Sequence, residues 1–154
     1  MDYVRRHLRL GWSALLVFAS FGLVLEALQG FKVAAYLDVS NETRRLMWRL
    51  AHAHGALLGA MNILFAVTLK AWVSAFPGVT RVSSSLVAAT ILLPLGFFLG
   101  GVVFYSGDPG LGVLLVPIGA TLLLLSLYWI ASTVSKRSAE PDTGRSGADR
   151  ARKP

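Results

Sequence analysis

The chain has 154 residues, a formal net charge of +7 and no cysteine, with 55% hydrophobic residues and a mean hydropathy of +0.60. Soluble domains of this size are not so apolar, and without thiols neither disulfides nor thiolate metal sites can form. The basic residues flank apolar runs or crowd the polar C-terminal stretch, which speaks for membrane topology and against nucleic acid as a partner.

A hydrocarbon core of about 30 Å takes roughly 20 helical residues. Four segments reach that length with no charge at their centres: 8–28, 46–72, 85–105 and 111–134. They predict an all-α, polytopic membrane protein with four transmembrane helices in an antiparallel bundle. This domain spans 1–134, and the polar stretch 135–154 is expected to be a disordered basic tail. The basic start MDYVRRHLRL has the look of a signal peptide. The apolar run after it exceeds the usual h-region of about 7–15 residues and no small-x-small cleavage site follows, so it is expected to remain as the first span.

After span one, Gly30 is placed to end the helix in a left-handed conformation. FKVAAYL, residues 31–37, reads equally as an interfacial segment or a short strand. Ser40 or Asn41 can cap the second helix, with Glu42 in its first turn where the helix dipole favours an anion. Pro-Gly at residues 77–78 breaks the chain between spans two and three, and Pro94 and Pro117 are expected to kink spans three and four.

Charge sets the orientation. Arg5, Arg6, Arg9, Lys70, Arg81 and the tail lie on one side; Lys32, Arg44, Arg45 and Arg49 lie on the other, partly offset by Asp38 and Glu42. The bias places both termini in the cytoplasm of a cell whose inner membrane holds the chain.

Polar residues inside spans cost free energy unless partnered, so they are the candidate functional groups. Several gather toward the outer leaflet: Glu26 in span one, Arg49, His52 and His54 in span two, and Tyr105 and Asp108 at the end of span three. His52 and His54 are two apart and project about 200° apart on a helix, so they cannot share one metal ion. His52 lies on the face with Gly55, Ala56, Gly59 and Ile63, which lets another helix approach closely. Its expected partner is Glu26, Tyr105 or a backbone carbonyl. His54 lies with Leu50, Leu57, Leu58, Met61 and Phe65, a face expected to meet lipid or the interface. Gly96 and Gly100 repeat the four-residue spacing in span three, so spans two and three are expected to pack through their glycines. Glu26 should reach the headgroups or pair with Arg49 or a protonated histidine. Asn62 should form an interhelical hydrogen bond.

RLAHAHG, residues 49–55, resembles the start of the haem-ligand helix in the catalytic subunits of the haem-copper oxidase and nitric oxide reductase superfamily. The resemblance implies haem b, with His52 at the ligand position and His54 where that family varies. The family carries further histidines on later helices, whereas the third histidine here is His7, so a second axial ligand would come from a second copy or the haem would stay five-coordinate.

Three functions fit the sequence. The first is a non-enzymatic accessory or scaffold protein in the lipid bilayer, within a homodimer or a larger membrane complex. The second is a haem- or copper-binding redox or sensor protein using His52 or His54. The third is a small dimeric proton-coupled transporter using Glu26. No Ser-His-acid or paired-acid arrangement points to an enzyme.

Overall fold

The computed structural model describes residues 2–71, 76–105 and 107–138. It is helical, and four of its helices are long and apolar enough to cross a membrane. The first, α1 (Tyr3–Gly30), begins earlier than hydropathy suggests because Asp2 caps it. The Asp2 carboxylate accepts the Arg5 N–H at 3.0 Å and pairs with the Arg5 guanidinium at 3.5 Å.

Gly30 does not take the left-handed position expected of it; it is the last helical residue of α1. Lys32 takes that position instead, at φ +52°. The Lys32 N–H donates to the Gln29 carbonyl and the Val33 N–H to that of Leu28, the paired bonds of a Schellman motif. The following residues form not a strand but a one-turn helix, α2 (Ala34–Leu37).

Asp38 caps a 3-10 turn ahead of the second long helix, a turn that the sequence did not announce. Its carboxylate accepts the Ser40 N–H at 2.8 Å and the Ser40 hydroxyl at 2.5 Å. Asn41 reaches backwards to donate to the Ala35 carbonyl at 2.8 Å. A 3-10 turn, Val39–Asn41, then leads into α3 (Glu42–Ala71). Residue 72, the end of the expected second span, lies outside the described residues.

Gly78, at φ +96°, starts α4 (Val79–Val102), which contains Pro94. A two-residue hairpin follows, β1 (Phe104–Tyr105) against β2 (Asp108–Pro109), with Tyr105 opposite Asp108. A 3-10 turn, Leu111–Leu114, opens onto α5 (Leu115–Ser138). Pro117 falls in the first turn of α5, where a backbone N–H has no intrahelical acceptor, so the kink expected there has no cause. The helix continues to Ser138, four residues past the expected end of the fourth span, and residues 139–154 of the expected tail lie outside the described residues.

The long helices pack in chain order: α1 on α3, α3 on α4, and α4 on α5. Burial follows this order, covering 39% and 44% of the apolar windows of α3 and α4 but only 22% and 11% of those of α1 and the last span. Phe65, Leu69, Val82 and Leu86 form the buried core between α3 and α4, with Val4, Leu123 and Trp129 packed around it.

The glycines do the close packing, partly with the partners expected. Gly55 and Gly59 face α1, where a Cβ on Gly55 would run into the Phe18 ring and one on Gly59 would lie 3.0 Å from the Gly11 carbonyl. Gly96 meets Val116 and Leu115 at the start of α5, whereas Gly100 meets both Val113 and Met47 of α3, and Gly101 meets Met47 and Trp48 of α3. Small-residue spacing marks a face that permits approach but not which helix approaches.

Candidate functional site

Polar side chains concentrate at two levels. The first lies toward the end of the molecule that holds Tyr3 and Val79. His7 is fully buried there, at 0% exposure, as are Asn62 and Ser83. His7 Nδ1 lies 2.6 Å from Asn62 Oδ1 and Nε2 lies 2.8 Å from the Ser83 hydroxyl. The Phe65 ring meets the imidazole edge-on, with centroids 4.8 Å apart.

The protons in this cluster can be placed from its ends. Backbone carbonyls only accept, so the Asn62 amide nitrogen must donate to Leu58 O at 2.8 Å, and it also donates to Thr90 Oγ1 at 2.8 Å. Thr90 in turn donates to Leu86 O at 2.7 Å. Asn62 Oδ1 therefore faces His7 and requires a proton on Nδ1. In the neutral ring Nε2 is then an acceptor, so the Ser83 hydroxyl donates to it. Arg6 Nη1 donates to that same hydroxyl oxygen at 3.3 Å. Every donor from Arg6 to Thr90 points the same way, and three helices are tied at one level. The Asn62 amide joins the two halves of this series, so the cluster ties α1 to α3 and α4 through side-chain hydrogen bonds.

The second level lies toward the end that holds Gly30 and Glu42. A groove of about 380 Å³ runs between α1 and α3, lined by Gly22, Leu25, Glu26, Gln29, Arg49 and His52. Each wall carries polar groups three residues apart, Glu26 with Gln29 and Arg49 with His52, a spacing that puts both on one helix face. His52 is half-buried, and its Nδ1–H donates to Phe18 O at 2.7 Å. The backbone carbonyl is thus the partner, not Glu26 or Tyr105. The imidazole lies over Gly22, where a Cβ would run into the ring. With Nδ1 so engaged, the neutral ring keeps its lone pair on Nε2.

Arg49 Nη2 donates to Gln29 Oε1 at 3.0 Å, so the Arg49–Glu26 pair expected from sequence gives way to an Arg49–Gln29 bond. Asp2–Arg5 is the ion pair found among the described residues, which leaves the Glu26 carboxylate exposed and without one. The neighbouring cations are engaged with backbone. Arg44 donates to Gly101 O at 3.1 Å and Val102 O at 3.5 Å, closing the C-terminus of α4. Arg45 donates to Tyr36 O at 3.0 Å and Asp38 O at 2.8 Å.

The structure therefore brings together Glu26, Arg49 and His52 from the sequence-predicted set. Asn62 forms the interhelical bonds expected of it, in the other cluster. Tyr105 is 65% exposed on the hairpin and does not line the groove. His54 points away from His52, as the helical spacing requires. Its Nδ1–H donates to Leu50 O on its own helix at 2.8 Å, and its ring lies 4.7 Å from that of Phe97. It is half-buried beside α4. Among the described residues no three His, Asp or Glu side chains converge as a metal-ligand set.

Sequence reasoning missed His7, because the first span was begun at residue 8. A signal was present: His7 heads a stripe through Gly11, Ala14, Gly22 and Leu25, all buried, with small residues at helical spacing along one face. No protein-family model, curated protein or solved structure matches the chain.

Proposed function

We propose that the chain is an integral protein of the cytoplasmic membrane, four spans in an antiparallel bundle with both termini in the cytoplasm. It acts as a non-enzymatic accessory or scaffold subunit, in a homodimer or a larger membrane complex. One observation carries this reading. The buried His7, Asn62, Ser83 and Thr90 are engaged with one another, while α1 and α5 present uncovered apolar side chains such as Leu16, Leu23, Leu124 and Tyr128. A photo-crosslinking residue at Leu124 or Tyr128 should yield a discrete adduct above the 16.6 kDa chain in intact cells. One at the buried Ser126 should not. A chain that crosslinks nowhere and purifies as an active monomer would remove the accessory role.

A second reading rests on the His52 geometry. A ligating imidazole commonly donates its other N–H to a carbonyl, and His52 does so to Phe18 O, leaving Nε2 for haem or copper. Purified protein should then show a Soret band, or bound copper, that His52→Ala abolishes and His7→Ala retains. A colourless, copper-free preparation from haem-replete cells excludes it. The proton-coupled transporter reading draws no comparable support, since Glu26 is exposed near the end of α1.

A further inference from the structure

The groove between α1 and α3 carries one acidic and one basic side chain that do not neutralise each other. Glu26 has no ion-pair partner among the described residues, and Arg49 holds only the neutral Gln29 oxygen. Both are exposed in a cavity of about 380 Å³. Opposite charges held apart in one groove are complementary to a ligand that itself carries both signs. Arg49, with guanidinium N–H groups left over after its bond to Gln29, suits a phosphate. Glu26 accepts N–H bonds from a primary ammonium. The groove opens at the end of two helices long enough to span a bilayer, where a headgroup sits.

We infer that this groove binds a phosphoethanolamine group, with its phosphate on Arg49 and its ammonium on Glu26. His52 and Gln29 supply neutral hydrogen-bonding capacity between them. The inference rests on the membrane reading above when the phosphoethanolamine is a lipid headgroup. Choline is a poorer fit, because a quaternary ammonium has no N–H to donate to Glu26. Phosphatidylglycerol is poorer again, because it offers no cation and sets its phosphate against the Glu26 charge.

The test is native mass spectrometry of the full chain from micelles doped with equal amounts of phosphatidylethanolamine, phosphatidylcholine and phosphatidylglycerol. Phosphatidylethanolamine should be retained about tenfold over either competitor, and Glu26→Gln and Arg49→Ala should each bring the three to parity. Arg49→Lys, which keeps the charge, should keep most of the preference. Equal retention of the three lipids by the parent chain, or an unchanged preference in Glu26→Gln, would overturn the assignment. Free phosphoethanolamine distinguishes the sources. Displacement of the lipid at low millimolar concentration would identify a soluble ligand, and no displacement would identify the lipid. Carbonate extraction tests the membrane reading separately. A chain released by carbonate refutes that reading, whereas a chain that stays and shows no lipid preference refutes the headgroup site alone.

Discussion

His7 and His52 both sit on interhelical contacts, and they differ in almost every other respect. Both nitrogens of His7 are engaged, by Asn62 from α3 and Ser83 from α4, with no solvent contact. His52 engages one nitrogen with a carbonyl and turns the rest of its ring toward an open groove. The buried cluster is closed chemistry: all its donors and acceptors are matched, which makes it a clamp. The groove is open chemistry, with an unmatched carboxylate, a guanidinium with N–H groups to spare and an imidazole lone pair. Closed and open polar chemistry are thus divided between opposite ends of the same helix pair.

The sharpest way to break this comparison is to delete each histidine. His7→Ala should cost about 3–5 kcal/mol, since it leaves a buried cavity and strands Asn62 Oδ1 and the Ser83 hydroxyl. His52→Ala should cost only about 1 kcal/mol. Reversible unfolding in bicelles measures both, and equal losses would abolish the distinction between clamp and groove.

The groove floor gives the next largest effect. Gly22→Leu should destabilise by about 1–3 kcal/mol, because the new side chain meets the His52 ring. Gly30→Ala, with nothing within 4 Å and a helical backbone, should be neutral or stabilising by about 0.5 kcal/mol. Equal effects in the same unfolding assay would show that His52 does not lean on Gly22.

Two smaller effects belong to the chain segment beyond the groove. Lys32→Gly should stabilise by about 0.5–1 kcal/mol, because Lys32 is held at a positive φ that glycine adopts without strain. A loss of stability would mean that the lysine side chain does more than its backbone suggests. Asp38 gives a pH signature. Hydrogen bonds from the Ser40 hydroxyl and N–H, with the charge of Arg45 nearby, hold its carboxyl below the ordinary carboxylate value. The cap therefore contributes fully above that ordinary value and is lost as pH falls through the lower, folded-state one. Corrected for intrinsic exchange, the Ser40 amide should lose protection over that acid range. In Asp38→Asn the acid dependence should vanish, and its persistence would assign it to another group.

The four long helices were legible because continuous apolar runs need no partner to declare themselves. Glu42 marked the start of the second, as its first-turn position bears out, but the start of the first was not legible, because Asp2 lies in a polar turn that hydropathy does not count as helix. The same shift hid His7: counted as a flanking residue, it carried no obligation to be satisfied. The glycine spacing correctly marked a tight face on α3. It could not say that α1 covers that face, since spacing is a property of one helix and partnership of two. The opposed directions of His52 and His54 followed from helical geometry alone. The Arg49–Gln29 bond did not, because it depends on how the end of α1 is placed beside α3.

Packing in chain order has a consequence for biogenesis. A nascent chain released one span at a time would find each new helix's main partner already made. The α1–α3 hairpin would complete the groove, including the His52 contact with Phe18, before α4 existed. His7 and Asn62 could meet at that stage, but Ser83 and Thr90 would still be missing. The arrival of the third long helix would then act as a checkpoint. Until it docked, a half-satisfied histidine and amide would mark the chain as unfinished, which is the kind of defect that membrane quality control can detect.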